Sequence, residues 1–268
     1  MRAWCREQRS AGRIFGVVPT MGALHDGHLS LVERAYLQCD ACVATVFVNP
    51  TQFAANEDLS RYPRPLQRDL DLLQSAGVEA VFLPTEEVMY PGGFGTYVTP
   101  PPVGRTLEGE SRPEHFRGVT TVVMKLFQII PADAAFFGQK DYQQLRVIEH
   151  MVRDLNVPIE IVPCEIVRDA DGLAMSSRNR YLTETQRKIA LSLSAALRSA
   201  ERLSGTGETD IDALEHAMRE ALSGCDSIDY AVVVDADTLQ RIKKLDRPAV
   251  ALVAARVGKT RLIDNRIL

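Results

Sequence analysis

An alternation constrains this chain more than any other feature. Between residues 13 and 162, short apolar runs take turns with stretches of helical periodicity. Arg13–Val18 reads as a strand and Leu29–Leu37 as a helix. Ala41–Val48 (ACVATVFV) is nearly all apolar and rich in Val, as expected of a strand buried on both faces. Leu66–Ala76 carries apolar residues at helical spacing, closed by Gly77, and Val78–Leu83 is a strand stopped by Pro84. Thr120–Ile130, Asp133–Phe137, Tyr142–Leu155 and Ile159–Val162 continue as helix, strand, helix, strand. Strands separated by helices at this spacing predict an α/β fold with a parallel sheet. In such sheets ligands bind at the edge formed by the loops that follow the strands.

The remainder reads differently. Thr183–Leu203 is a long Ala- and Leu-rich helix, with Thr183 and Gln186 spaced as a capping box. Ile211–Leu222 is a second helix, and Tyr230–Val234, Val250–Ala255 and Thr260–Ile263 are β-like. Two helices and a small sheet predict a separate, smaller C-terminal α+β domain over residues 167–268, after a first domain over residues 1–166.

Composition narrows the function classes. The 268 residues are 46% hydrophobic with a formal net charge of -4, and no long basic run marks a nucleic-acid binder. No apolar run approaches the ~20 residues of a membrane span, and the N-terminus lacks the apolar core of a signal peptide. A cytoplasmic protein with neither nucleic-acid nor membrane partners is the expectation. The five scattered cysteines read as reduced thiols. Cys39 and Cys42 form a C-x-x-C, but the pair closes a helix and enters a buried strand. A redox dithiol normally opens a helix, so these read as core packing.

Four stretches carry candidate chemistry. PTMGALHDGH (Pro19–His28) sits where a strand becomes a helix, and a metal site, an anion site and a plain turn compete for it. A helix start gathers N–H groups and positive dipole, and His25 and His28 can donate to phosphate oxygens. The metal reading is weaker, because no Glu follows His25 in an HExxH frame and no nearby cysteine or carboxylate pair completes a tetrahedral set. FFGQKDYQQL (Phe136–Leu145) repeats the strand, glycine, polar cluster and helix, with Lys140 placed to reach a phosphate. GLAMSSRNRYL (Gly172–Leu182) supplies Ser176, Ser177 and Arg178, all suited to phosphate oxygens. VFVNPTQF (Val46–Phe53) offers the Asn49 and Gln52 amides for hydroxyl and carboxylate groups, or simply an Asn-Pro turn. Arg112, His115 and Arg117 add cationic and donor groups on a long loop, residues 91–113, and Asp58 and Asp69 are candidate carboxylates beside Mg²⁺.

Taken in order, PTMGALHDGH, VFVNPTQF, RPEHFRGV, FFGQKDYQQL and DGLAMSSRNRYL closely resemble the pantoate–β-alanine ligase family. The likeness runs from about Gly16 to the C-terminal ARVGKTRLIDN. The H-x-G-H element also resembles the wider superfamily of HIGH-type nucleotidyl transferases, which implies a Rossmann-like sheet. The resemblance implies that Met21, Gly22, Ala23, Leu24, His25, Asp26, Gly27 and His28 line an ATP site. It places His25 and His28 on the phosphates and makes His28 a proton donor. Gly138, Gln139, Lys140 and Asp141 would contact ATP, with Lys140 on the phosphates. Val167, Met175, Ser176, Ser177 and Arg178 would complete the nucleotide site. Gln52 and Gln144, with Asn49, would meet pantoate, Gln52 lying near the β-alanine position. The implied reaction is ATP-dependent formation of pantothenate through a pantoyl-adenylate, releasing AMP and pyrophosphate. Mg²⁺ is the implied metal and a homodimer the implied assembly.

Two departures stand out. The family usually has a further strand and turn before the first motif, whereas here the motif lies near Met1, so one sheet edge is expected to be missing. Gln139 stands where Glu is frequent, which removes a charge and keeps hydrogen bonding. Two other readings are a nucleotidyl transferase acting on a phosphorylated metabolite and a silent nucleotide-binding module. The first does not use the Asn49, Gln52 and Gln144 amides. The second requires a lost phosphate contact, and His25, His28, Lys140 and Arg178 are all present.

Overall fold

A computed structural model of the chain describes residues 1–54, 57 and 59–268. The chain divides into two compact units, one of Met1–Gln139 with Gln143–Glu165, the other of Lys140–Tyr142 with Ile166–Leu268. The alternation alone puts residues 140–142 in the first unit; the structure groups them with the second.

In the first unit the elements run α1 (Arg2–Ser10), β1 (Phe15–Thr20), α2 (Asp26–Tyr36), β2 (Ala41–Val46), α3 (Leu66–Ser75), β3 (Ala80–Phe82), α4 (Glu86–Met89), α5 (Glu108–Ser111), α6 (His115–Ile129), β4 (Ala134–Gly138), α7 (Tyr142–Asp154) and β5 (Glu160–Cys164). The five strands form one parallel sheet in the order β3-β2-β1-β4-β5. Strand order therefore reverses between β1 and β4, at the centre of the sheet. Paired residues there are Gly16 with Ala134 and Val17 with Ala135. Beyond them both strands run on without pairing to each other, and Pro19, which has no N–H, lies in this unpaired part of β1. A strand-order reversal is where open α/β sheets bind ligands. The two loops that leave it are the Met21–His28 turn and the Gly138 segment.

The central strands are buried because their residues allow it. All of Ala41–Thr45 is buried, as the continuous apolar run requires. Val18, Leu24, Leu31, Val32, Cys42, Leu73 and Phe136 form a shared core that ties α2 and α3 to the sheet.

Helix starts differ from the sequence expectation. α2 begins at Asp26 rather than Leu29, and α6 at His115 rather than Thr120. In α2 the first turn is polar and carries no apolar periodicity to announce it, whereas in α6 the buried Phe116 and Val119 already stand at helical spacing ahead of the expected start. The segment ahead of β1 is a helix, not a strand, with Cys5 and Gln8 turned inward and Trp4 edge-on to Phe15 at 5.5 Å.

The second unit has α8 (Glu184–Gly205), α9 (Ile211–Ala221) and an antiparallel sheet β6 (Ser227–Asp235), β7 (Ala249–Val257) and β8 (Thr260–Ile267), in that spatial order. Ala190, Leu193, Leu197 and Ala200 of α8 recur at helical spacing and meet Leu214 and Met218 of α9 over Val233, Ala251 and Val253. The capping box forms: Thr183 Oγ1 accepts from the Gln186 N–H at 3.2 Å, and Gln186 Oε1 accepts from the Thr183 N–H at 3.0 Å. β8 runs four residues past Ile263, carrying the buried polar pair Asp264 and Asn265 into the sheet. Among the described residues no helix is long and apolar enough to cross a membrane.

Candidate active site

The turn after β1 is built around a buried carboxylate. Thr20 Oγ1 donates to the Thr45 carbonyl at 2.7 Å and accepts from the Gly22 N–H at 3.2 Å. Gly22 and Ala23 then take successive left-handed conformations, φ 79° and 53°. For alanine this is unfavourable and needs support from its surroundings. Asp69 of α3 supplies it: one carboxylate oxygen accepts from the Ala23 N–H and the other from the Leu24 N–H, both at 2.8 Å. Gly22 cannot be larger, because a Cβ there would lie 2.9 Å from Asp69 Oδ2 and 3.0 Å from Val46 Cγ1.

This gives Asp69 a different job from the one its identity implied. Its carboxylate is a backbone clamp, fully buried. Among the described residues no group of three or more His, Cys, Asp or Glu side chains could hold a metal. Asp58 lies outside the described residues. Mg²⁺ often binds through one or two carboxylates and substrate phosphates rather than in an all-protein cage.

The clamp delivers the chain to the start of α2, where His25 is the N-cap residue. The N–H groups of His28 and Leu29 close on the His25 carbonyl at 2.7 and 3.2 Å. Those of Asp26 and Gly27 have no hydrogen-bond acceptor among the described residues, so a helix N-terminus presents two donors and its dipole. His28 Nδ1 accepts from the His25 N–H at 3.3 Å, and the two rings lie with centroids 4.1 Å apart. An Nδ1 that accepts puts the proton of the neutral ring on Nε2, which is then a donor. Of the competing readings, this geometry suits an anion.

Asn49 and Gln52 divide the work that the sequence gave to both. Asn49 is buried, and every hydrogen-bonding position of its amide is used within the protein. Nδ2 donates to Gln52 Oε1 at 3.1 Å and to the Gly118 carbonyl at 3.2 Å. Oδ1 accepts from the Thr51 N–H, the Thr51 hydroxyl and the Tyr90 hydroxyl. Asn49 thus spends its amide within the protein, and through Nδ2 it aims Gln52. The Gln52 amide also reaches Met21 Sδ at 3.0 Å, which leaves one Nε2 hydrogen for a ligand and ties this segment to the Met21–His28 turn. The approach of α6 depends on Gly118, where a Cβ would lie 2.4 Å from the Thr51 carbonyl oxygen.

Arg112 and His115 are half-buried and turned toward the Gln52 segment. Both hold the Gln52 carbonyl, Arg112 at 3.3 Å and His115 Nδ1 at 2.9 Å. Arg112 also makes two 2.6 Å bonds to Glu57. Because His115 Nδ1 donates, its Nε2 is the acceptor for Arg112 Nη1 at 3.3 Å. Burial first, and the Arg112 charge second, lower the His115 pKa to about 4. Arg117 pairs with Glu114 and covers the Tyr97 ring at 4.5 Å.

On α7 two adjacent glutamines separate. Gln143 is buried and braces the long loop, donating to the carbonyls of Val103 and Thr106 and accepting from the Glu108 N–H. Gln144, named from the sequence, is half-buried with no hydrogen bond among the described residues. Gly138 ends β4, and a Cβ there would meet no protein atom within 4 Å.

In the second unit, the half-buried Lys140 and the Val167–Arg178 segment come together on one scaffold. A hairpin carries Val167 and Met175 side by side: Met175 N–H donates to the Val167 carbonyl at 3.0 Å, and Arg168 bridges to Ala174. Gly172, at φ 92°, makes its turn. Ser176 caps the 3₁₀ turn Ser177–Tyr181, its hydroxyl accepting from the Arg178 N–H at 3.2 Å. Ser176, Ser177 and Arg178 are half-buried. Cys39 and Cys42 take no part: burial pushes their thiols up to about 11 and about 12, against reactivity.

Both clamps can be tested. Asp69→Ala leaves two buried N–H groups unpaired beside a left-handed alanine and costs about 3 kcal/mol of stability, whereas Asp69→Asn keeps one acceptor and costs about half as much. Urea melts read both, and equal losses would contradict the two-bond account. For His115, the folded pKa of about 4 lies below the ordinary 6.5, so between those values the unfolded chain binds the extra proton. Stability is flat above pH 6.5, falls as pH drops to 4 by about 3 kcal/mol at most, then levels. His115→Asn, which keeps a donor for the Gln52 carbonyl, flattens that limb in melts taken across pH.

Comparison with known proteins converges on one family. The family described as Pantoate-beta-alanine ligase matches residues 1–267. Pantothenate synthetase of Rhodopirellula baltica is 63% identical over 271 residues, covering 100% of this chain and 96% of that protein. The crystal structure of pantothenate synthetase from Thermus thermophilus superposes with a TM-score of 0.92 at 46% identity, covering 98% of this chain and 96% of that one. A pantoate-beta-alanine ligase from Francisella tularensis, complexed with beta-gamma ATP and beta-alanine, does so with a TM-score of 0.80 at 34% identity, covering 99% and 95%. With likeness over nearly the whole chain, and with a helix start that presents free N–H groups at the strand-order reversal, this chain belongs to the pantoate–β-alanine ligase family.

Proposed function

We propose that this ligase works in two steps, with ATP as co-substrate. A pantoate carboxylate oxygen attacks the α-phosphorus of ATP, and pyrophosphate leaves with the electron pair of the broken P–O bond. The β-alanine amine then attacks the acyl carbon of the adenylate, AMP leaves, and the amine sheds a proton, giving pantothenate. The observation that carries this reading is the start of α2, with the Asp26 and Gly27 N–H groups lacking acceptors among the described residues and His28 Nε2 a donor. Negative charge builds on the phosphates during adenylation, and preorganised donors are most effective where charge develops. The Francisella tularensis relative, complexed with beta-gamma ATP and beta-alanine, supports the choice of ligands.

In this reading His25, His28, Lys140 and Arg178 stabilise the phosphate charge. Met21–Gly27, Gly138, Gln139, Asp141, Val167, Met175, Ser176 and Ser177 hold the rest of the nucleotide. Gln52 and Gln144 bind pantoate, Gln52 through its remaining Nε2 hydrogen. Mg²⁺ enters with the ATP phosphates, since the described residues form no cage for it. A homodimer is the assembly that the family resemblance implies.

Incubation with ATP, Mg²⁺, pantoate and β-alanine should release AMP well above a control without pantoate; no excess would sink the ligase chemistry. Gly138 sharpens the nucleotide assignment, because protein packing does not require a glycine there. Gly138→Ala is expected to leave the melting temperature in place and raise the KM for ATP about tenfold, a loss of ~1.4 kcal/mol. An unchanged KM would remove Gly138 from the ATP site.

A further inference from the structure

The C-terminal strand carries two buried polar residues that the reaction does not explain. Asp264 and Asn265 are each 3% exposed. Burying a charge and an amide in a small sheet is unfavourable unless both are well partnered. Their partners are informative. Both Asp264 oxygens take the Arg168 guanidinium, at 2.7 and 2.9 Å. Arg168 Nη1 also donates to the Gly172 carbonyl at 3.2 Å, so this pair closes the hairpin that carries Val167 and Met175. Asn265 Nδ2 donates to the main-chain carbonyl of Lys140 at 2.9 Å. Asp264 Oδ1 accepts the Asn265 N–H at 2.8 Å, which locks the two residues together. Tyr142 adds a second tether to the Lys140 segment, donating to the Ala236 carbonyl at 2.9 Å.

One dipeptide thus grips two segments far apart in sequence. On one side lies the backbone of Lys140, on the other the hairpin that leads into Ser176–Arg178. We infer that Asp264 and Asn265 are positioning residues for adenylation, fixing Lys140 relative to the Val167–Arg178 segment. This rests on the nucleotide assignments proposed above. A hydrogen bond to the Lys140 carbonyl fixes its peptide plane, and with it the direction in which the Lys140 side chain leaves the backbone. A bidentate arginine–carboxylate pair fixes orientation as well as distance. Neither residue touches a reacting atom in this account. Each acts through a group that does.

A double-mutant cycle separates positioning from bulk stability. Asn265→Ala in the otherwise unchanged enzyme is expected to lower the rate of ATP–pyrophosphate exchange with pantoate by about ten- to a hundredfold, the range for small misplacements of a catalytic group. In a Lys140→Ala background the same change is expected to cost less than about twofold, because the group it aims is gone. Asn265→Gln, which keeps a donor, should restore part of the rate. Equal losses in both backgrounds would overturn the inference and leave Asn265 a structural residue. Asp264→Asn and Arg168→Lys should raise the KM for ATP and leave that for β-alanine unchanged; an equal rise in both would count against positioning. If the unaltered enzyme releases no AMP with pantoate and β-alanine, the two-step reading fails on its own. The cycle is then run on ATP affinity by calorimetry, where the same coupling to Lys140 is expected and its absence would overturn the inference.

Discussion

The Asp69 carboxylate is the interaction on which the first half of the site depends. It leaves α3 and receives the N–H groups of two residues in the turn after β1, one a left-handed alanine. Without that pair of acceptors, the chain has no reason to turn from β1 directly into α2. The fold supplies the address, since β1 lies where strand order reverses. The clamp supplies the orientation, delivering His25 to the N-cap and aiming the first N–H groups of α2. A buried carboxylate facing N–H groups rather than a cation is stable because charge-assisted bonds replace its hydration. The first turn of its own helix, with its positive dipole end, is a favourable place for the charge.

The same division of labour recurs. Asn49 spends its whole amide inside the protein, and its neighbour Gln52 keeps a hydrogen for a ligand. Gln143 braces the loop after residue 100, and Gln144 stands beside it without a hydrogen bond among the described residues. Asn265 holds a carbonyl so that Lys140 can point. In each case a buried polar residue with filled bonding capacity is rigid. The residue beside it or bonded to it inherits that rigidity while keeping its own group available. This is how a site can be held to a fraction of an ångström on short loops, which by themselves are mobile.

What could be read from the sequence follows from this physics. The parallel sheet and the separate α+β unit were legible because strand and helix periods are imposed by burial, and burial selects residue type. The helix start at Asp26 was not, since its polar first turn carries no period, and at His115 the pair Phe116 and Val119 is too short a signal beside Arg117 and Gly118. The partnering of polar side chains was also hidden. Asp69 read as a candidate carboxylate beside Mg²⁺, Asn49 as an amide for a ligand or an Asn-Pro turn, and Arg112 and His115 as cationic and donor groups on a long loop. Residue type says what a group can bond, while its partners come from residues tens of positions away. One cue was present for the Asp264–Asn265 pair: two polar residues directly after Leu262–Ile263 in a strand that continues. A buried strand tolerates such a pair only when something is bonded to it.

His28 shows how such second contacts bear on chemistry. A histidine at this place can act as a charged donor, a neutral donor or a proton carrier. Its Nδ1 accepts from the His25 backbone N–H, which holds the ring in one orientation. Adding a proton at Nδ1 would turn that acceptor into a donor facing a donor and break the link that sets the ring. In the proposed reaction His28 would present its Nε2 to the charge that develops on the phosphates. Whether as proton donor or as hydrogen-bond donor, the His28 ring would act through Nε2, because its Nδ1 is committed to the His25 N–H.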